Sequence, residues 1–350
     1  MTTDDSEDGT PIAGRPAAVA THGAAASAVW PRVAVYGAGA VGCFFGAKLA
    51  EAGAPVTLIG RPAHVEAIRR DGLLFDSPGA THRIRIAADT GPESVREAGL
   101  VLFCVKTRDT DQGTRALAPL LRPDAVVVSL QNGVDNVPRM RETGVDALAA
   151  VVYVATSMPA PGHLLHAGRG DLVIGEYGAR TASGPEGTAA AQPSPRARMV
   201  AACFERAGVP ARLEADLRGE LWTKLIMNCA FNAISALARS RYGPMIDDPE
   251  IRALMRVAID ECVAVARAEG VPVADAGAHH EAAVRLGEAM REASSSTAQD
   301  LASGRPTEID SLNGYVARRG QVHGVATPVN RALAALVRLL ERAPHPALRA

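Results

Sequence analysis

The sequence predicts an α/β protein: a doubly wound, mostly parallel sheet with antiparallel additions, followed by an all-α C-terminal domain. Three observations predict it. Near-continuous apolar runs alternate with helical stretches up to about residue 130, as expected of parallel strands covered on both faces. A glycine-rich turn follows the first of these runs and opens a helix. From Asp216 to the end the pattern is helical.

A chain of 350 residues is too long for one small core and suits two domains. The reading divides it into a disordered tail over 1–30, a nucleotide-binding domain over 31–213 and a helical catalytic and substrate domain over 214–345. With 21% charged residues, a formal net charge of -1 and no long basic run, no nucleic-acid surface is expected. Aromatics at 4% argue against base-stacking platforms and a membrane aromatic belt. No apolar run of about 18 residues occurs, so no membrane span is expected. The first residues carry Asp4, Asp5, Glu7 and Asp8, not the basic start and apolar centre of a secretory signal, so a cytoplasmic protein is expected. Cys43, Cys104, Cys203, Cys229 and Cys262 are scattered and form no C-x-x-C pair, which predicts neither a disulfide framework nor a metal site.

The elements follow in order. Order begins near Pro31, and Arg32 to Tyr36 is the first strand. A helix is expected from about Gly42 to Gly53, then a strand over Val56 to Ile59. Leu100 to Val105 is a third apolar run, followed by a helical stretch to about Leu121, and Ala125 to Leu130 is a fourth. Val151 to Ala155, His163 to His166 and Leu172 to Glu176 read as antiparallel strands joined by Pro/Gly turns. Residues 178–197, rich in small residues and proline, read as a mobile loop. A helix near Ala197–Ala207 and a short strand near Ala211–Leu213 close this part. Helices are then expected near 217–238, 248–269, 275–292, 307–322 and 328–342, with Pro249 and Pro328 in first-turn positions.

The turn reads Gly37-Ala38-Gly39-Ala40-Val41-Gly42, a G-x-G-x-x-G between strand and helix. The first glycine permits the tight turn, the second lets a pyrophosphate approach the backbone, and the third lets helix pack on strand. The amides of the helix start then face the negative charge. This makes the sheet Rossmann-type and the six residues a dinucleotide site. The second strand ends in Gly60-Arg61, where an NAD enzyme usually carries an acid for the ribose 2′-OH. A guanidinium there pairs with a 2′-phosphate, which favours NADP(H) over NAD(H); a solvated loop arginine is the plain alternative. Lys106 follows the third apolar run in Val105-Lys106-Thr107, either a phosphate or adenosine contact or an ordinary surface charge. Asn132, in Gln131-Asn132-Gly133, stands after the next strand, where the crevice rule puts nicotinamide and substrate, though Asn-Gly is also simply a good turn.

In the apolar run around Leu221–Ile234, Lys224, Asn228 and Asn232 are spaced i, i+4, i+8 and share one helix face. Buried lysine and amide groups need partners, because an unsatisfied one costs roughly 1–3 kcal/mol. Such a stripe is either a structural network or a ligand site. A partly desolvated lysine has a lowered pKa, stabilises a developing alkoxide and donates a proton as hydride arrives. Ser296 alone reads as a cap or turn serine, and Glu308 alone as a first-turn acid complementing a helix dipole.

In this order the segments resemble the ketopantoate reductase family: the glycine turn, Arg61, Val105-Lys106-Thr107, Gln131-Asn132-Gly133, the Lys224/Asn228/Asn232 helix, Ser295-Ser296 before Gln299-Asp300, and Thr307-Glu308-Ile309-Asp310. The likeness runs from about Val33 to Leu340. It implies NADPH-dependent reduction of 2-dehydropantoate to pantoate, with Lys224 as general acid held by Glu308. It implies that Asn132, Asn228, Asn232 and Ser296 position the substrate's carboxylate and hydroxyls, that Arg61 and Lys106 contact the NADP phosphates, and that Asn132 and Glu308 also border the cofactor. The chain departs from the common pattern at Tyr242-Gly243, where Asn-Gly is frequent, and at Thr297, where methionine is. The expected partner is a small ketoacid, with a homodimer admitted but not required. Two other readings stand beside it: a reductase or dehydrogenase of another small 2-keto or hydroxy acid, and a non-catalytic NADPH-binding sensor, which would not need the Lys/Asn/Asn stripe.

Overall fold

A computed structural model describes residues 29–178 and 192–342. The tail expected over 1–30 falls, up to residue 28, outside the described residues, as do most of the loop expected at 178–197 and residues 343–345 of the helical region.

Strands β1 (Val33–Tyr36), β2 (Val56–Ile59), β6 (Leu100–Phe103) and β7 (Val126–Ser129) are the four apolar runs, all parallel. Their apolar sequence is continuous because both faces are covered. Val33, Val35, Leu100 and Leu102 pack on one face with Phe44, Phe45 and Phe204. Ala34, Val101 and Phe103 pack on the other with Leu221, Trp222 and Leu225. These two sets follow the period-2 alternation of strand side chains. Helices α1 (Ala40–Glu51) and α5 (Pro195–Arg206) therefore cover one face, and α6 (Arg218–Ala238) closes on the other. α1 begins two residues before the expected Gly42, since Gly39 is its N-cap.

The sheet has ten strands. Beyond β7 come β8 (Leu148–Ala160) and β9 (His163–Glu176), a long antiparallel pair. The two strands expected at His163–His166 and Leu172–Glu176 are one, because the pairing slips past Gly170 and Ala167 in β-bulges and continues. β10 (Ala211–Asp216) runs parallel to the end of β9. Helix α3 (Thr110–Leu117) is the helical stretch expected before Leu121, whereas helices α2 (Pro62–Asp71) and α4 (Asn136–Glu142), the hairpin β3 (Leu73–Ser77) and β4 (Ala80–Ile84), and the edge strand β5 (Ala87–Asp89) were not foreseen. β4 exposes four of its five residues, so it offers no apolar run to read.

The helical part holds α6, α7 (Tyr242–Asp247), α8 (Pro249–Ala268), α9 (Ala276–Ala289), α10 (Ser296–Ala302), α11 (Asn313–His323) and α12 (Pro328–Arg342). Caps fix several starts: Asp248 accepts from Glu250 N and Ile251 N, Asp275 from Ala278 N, and Ser295 from Ala298 N. The helix expected at 307–322 starts only at Asn313. A 3-10 turn over Ile309–Ser311 precedes it, and Leu312, at φ −109 and ψ −110, lies outside helical space. Among the described residues no helix is long and apolar enough to cross a membrane. The five cysteines are free thiols, four of them buried.

Candidate functional site

Parallel strands bring their carboxyl ends to one edge, so the segments after β1, β2, β6 and β7 meet there. Gly37 has φ +112, and a Cβ on it would stand 2.7 Å from Cys104 C and Val105 N. Gly37 N and Ala38 N both donate to Ile59 O, at 3.0 and 2.8 Å, tying the turn to the end of β2. A Cβ on Gly42 would stand 2.3 Å from Gly37 O and 2.8 Å from Val35 Cγ1, so helix and turn touch there. A Cβ on Gly39 would meet nothing within 4 Å. Gly39 offers no side-chain cap, the first turn of α1 carries no acid, and the first amides of any helix lack internal acceptors. An open backbone ending in amide donors fits a dinucleotide pyrophosphate. Gly60 abuts Ala38 of this turn, and Arg61 next to it is exposed at the N-cap of α2, with no ion pair among the described residues.

The second group forms a cluster across the two parts of the chain. Glu308 Oε1 accepts from Thr107 N at 3.2 Å and lies 3.3 Å from Thr107 Oγ1. Its Oε2 accepts from Asn132 Nδ2 at 3.1 Å and lies 3.6 Å from Lys106 Nζ. Lys106 Nζ also donates to Asp300 Oδ2 at 3.2 Å, and Arg305 Nε donates to the other oxygen of Asp300 at 3.0 Å. Gln131 is spent internally, donating to Val105 O and Thr110 Oγ1 and accepting from Ser129. Asn132 is thus the residue of that turn with an amide facing the cluster.

Lys224 rises from α6, partly exposed at the cleft. Its Nζ donates to Val152 O at 2.6 Å and sits 5.8 Å from the centre of the Tyr153 ring. Burial lowers its pKa to about 8; Glu308 acts in the opposite sense and Arg169 adds to the lowering. The hold of Glu308 on Lys224 expected from the sequence takes an electrostatic form in this structure. Glu308 acts on it through space, while its oxygens bond Thr107 and Asn132 and the β8 carbonyl holds the ammonium.

Asn228 and Asn232 follow Lys224 along α6. Asn232 is 3% exposed, yet neither amide has a protein hydrogen-bond partner among the described residues. A structural network looks different. Glu261, on α8, accepts from Val329 N, Asn330 N and Asn330 Nδ2 at 2.8, 2.9 and 2.8 Å and so caps α12. Neither amide is among the fully buried side-chain atoms left without a partner, and Asn228 is only half-buried, so both keep an open polar edge, which suits a polar ligand better than a finished network. Ser296 is exposed on the first turn of α10 and makes no bond to the cluster; its neighbour Ser295 is the buried cap, donating to Asn232 O at 3.1 Å. Tyr242 packs on Phe231 at 4.4 Å and Thr297 is buried, so both departures from the common pattern lie inside the helical part.

Sequence reasoning quoted Asp300 and Thr107 without giving them roles. It missed the Val152 carbonyl, which leaves no side-chain signal. It also missed Arg169, whose Gly-Arg-Gly-Asp setting was readable as an unusual backbone. Among the described residues no group of three or more His, Cys, Asp or Glu could hold a metal ion.

Comparison with known proteins adds to this geometry. Residues 33–179 match the family profile described as "Ketopantoate reductase PanE/ApbA", and residues 216–341 match its C-terminal counterpart. A 2-dehydropantoate 2-reductase of Halobacterium salinarum is 37% identical over 317 residues, covering 89% of this chain and 99% of that protein. One of Archaeoglobus fulgidus is 30% identical over 311 residues, covering 89% and 98%. The crystal structure of a PanE/ApbA family ketopantoate reductase from Ralstonia eutropha JMP134 superposes with a TM-score of 0.79 at 46% identity, covering 88% of this chain and 98% of that one.

Proposed function

The chain belongs to the ketopantoate reductase family, and from that premise we propose that it catalyses NADPH-dependent reduction of 2-dehydropantoate to (R)-pantoate, with Lys224 as the proton donor. One observation carries the reading. A lysine lowered to about 8 shares a helix face with two unbonded amides and feels the carboxylate that bonds Asn132. When bound, the dinucleotide supplies hydride to the keto carbon. Gly37 to Gly42 would hold its pyrophosphate, Arg61 its 2′-phosphate, and Lys106, Asn132 and Glu308 would border it. Lys224 gives its proton to the keto oxygen and stabilises the charge that forms there. Asn132, Asn228 and Asn232 hold the polar groups of the substrate, and Ser296 joins them only if α10 approaches when the cleft is filled. The division of labour between 31–213 and 214–345 is part of the same proposal.

The test is NADPH oxidation with 2-dehydropantoate beside a panel of smaller 2-ketoacids. A site that bonds the extra hydroxyl rejects analogues lacking it, and equal turnover across the panel would move the function to another ketoacid. Because the acid form of Lys224 does the work, kcat/KM for reduction is expected to be flat below pH about 8 and to fall above it. A profile flat through pH 10 would remove Lys224 as the donor. Arg61→Ala is expected to narrow the preference for NADPH over NADH by about tenfold, measured as the ratio of kcat/KM values. An unchanged ratio would assign the 2′-phosphate to another group.

A further inference from the structure

Thr107 stands where three segments meet, and none of its polar atoms is idle. It opens the 3-10 turn Thr107–Asp109 after β6 and is 0% exposed. Its N donates to Glu308 Oε1 at 3.2 Å, and its Oγ1 donates to Asn132 O at 2.8 Å. Its carbonyl accepts from Arg139 Nη1 at 3.0 Å and from Thr110 Oγ1 at 2.8 Å. Asn132 Nδ2 in turn donates to Glu308 Oε2 at 3.1 Å. Thr107, Asn132 and Glu308 thus close a ring of hydrogen bonds. It ties the ends of β6 and β7 to the turn before α11.

A hydroxyl has one proton to give, and the short contact to Asn132 O takes it. Asn136 Nδ2 donates to the same carbonyl at 2.7 Å, so both of its lone pairs are filled and the Asn132 peptide is fixed. Thr107 therefore holds Glu308 twice, directly through its N–H and indirectly by aiming the Asn132 amide. Lys106 also approaches Glu308, at 3.6 Å, but its side chain is 46% exposed and shared with Asp300. The buried ring, not that exposed lysine, sets where the carboxylate stands. Position matters because Glu308 reaches Lys224 through space, and such an effect falls with distance. Three titratable or charged groups face Lys224: Glu308, Arg169 from β9, and the Tyr153 phenol from β8, over which the Arg169 guanidinium lies at 4.3 Å. Glu308 is the carboxylate among them, so it is the group that favours the ammonium by charge.

We propose that Thr107 is a positioning residue for the reduction: its hydroxyl and N–H set Glu308 and Asn132 in one rigid frame, and Glu308 so placed keeps Lys224 charged and ready to give its proton. This rests on the reading of Lys224 as the proton donor given above. Thr107 touches neither substrate nor the keto oxygen and acts only through Glu308 and Asn132.

Thr107→Val tests the idea, because it keeps the shape and removes the hydroxyl, while Asn132 O retains Asn136 as a donor. The ionisation of Lys224 is read without turnover, by limited acetylation with acetic anhydride across the neutral to alkaline range and mass spectrometry of the Lys224 peptide. The parent should show a midpoint at about 8. In Thr107→Val the carboxylate is no longer fixed, the ammonium loses part of its support, and the midpoint should fall by about half a pH unit or more. Glu308→Gln should lower it as well, and Thr107→Val added to Glu308→Gln should lower it no further, since one residue works through the other. Thr107→Ser keeps the hydroxyl and should match the parent; Thr107→Ala removes it without adding bulk and should follow Thr107→Val. In the assay with 2-dehydropantoate, kcat of Thr107→Val is expected to fall about fivefold. An unmoved or raised midpoint in both Thr107→Val and Thr107→Ala, or a full additional shift on top of Glu308→Gln, overturns the proposal. Acetylation needs neither NADPH nor substrate, so a parent inactive on 2-dehydropantoate would remove the assignment of the reaction, whereas the acetylation midpoints alone decide the role of Thr107.

Discussion

Lys224→Ala is expected to lower kcat by about 10²-fold or more while the Kd for NADPH stays within about twofold. On the proposed mechanism the ammonium protonates the keto oxygen, and alanine leaves only water to do so. The same substitution frees the Val152 carbonyl, to which Nζ donates at 2.6 Å. Val152 is only 6% exposed, so losing that donor carries a stability cost on the order of 1–3 kcal/mol, which thermal unfolding reads separately from kcat. On the same proposal NADPH binds through the glycine turn, so its Kd separates a catalytic loss from a collapsed site. A variant that turns over like the parent would return the chain to a nucleotide-binding protein without this chemistry.

Gly42→Ala and Gly39→Ala are expected to diverge, although each adds one methyl group to the same turn. At Gly42 the methyl meets Gly37 O at 2.3 Å, a backbone atom that cannot move without opening the turn. Overpacking of this kind costs about 1–3 kcal/mol, and the distorted turn should raise the Kd for NADPH about tenfold or more. At Gly39 the methyl meets nothing within 4 Å, and φ −86 suits alanine, so the melting temperature should not change. Its methyl instead stands where a pyrophosphate approaches the backbone, and NADPH affinity alone should fall. Thermal unfolding and a fluorescence titration on both variants decide the matter. Should Gly39→Ala bind NADPH like the parent, the pyrophosphate does not lie over this turn.

The elements legible in the sequence were those whose periodicity reports a single environment. β2 was read to the residue, and α6, α8 and α12 to within a residue at each end, because a continuous apolar run or a capped amphipathic stretch needs no knowledge of its partner. β4 was missed because its side chains face solvent, and the middle of β9 because bulge glycines look like turn glycines in one dimension. The candidate site divides the same way. Spacing put Lys224, Asn228 and Asn232 on one face, and the motif put Gly37 to Gly42 between strand and helix. Spacing could not say whether the two amides were already bonded, and that decides between a structural network and a ligand site.

Sequence by itself determined the strand–turn–helix of the cofactor turn, the polar face of α6 and the absence of an acid after β2, since each is a local matter of residue type and period. Tertiary structure alone decided that Glu308 bonds Thr107 and Asn132, that a main-chain carbonyl holds Lys224, and that Arg169 shares an aromatic ring with it. These contacts join residues up to 201 positions apart. Their existence depends on how α6 and the helices after it close over one face of the sheet, which no local pattern in the chain encodes.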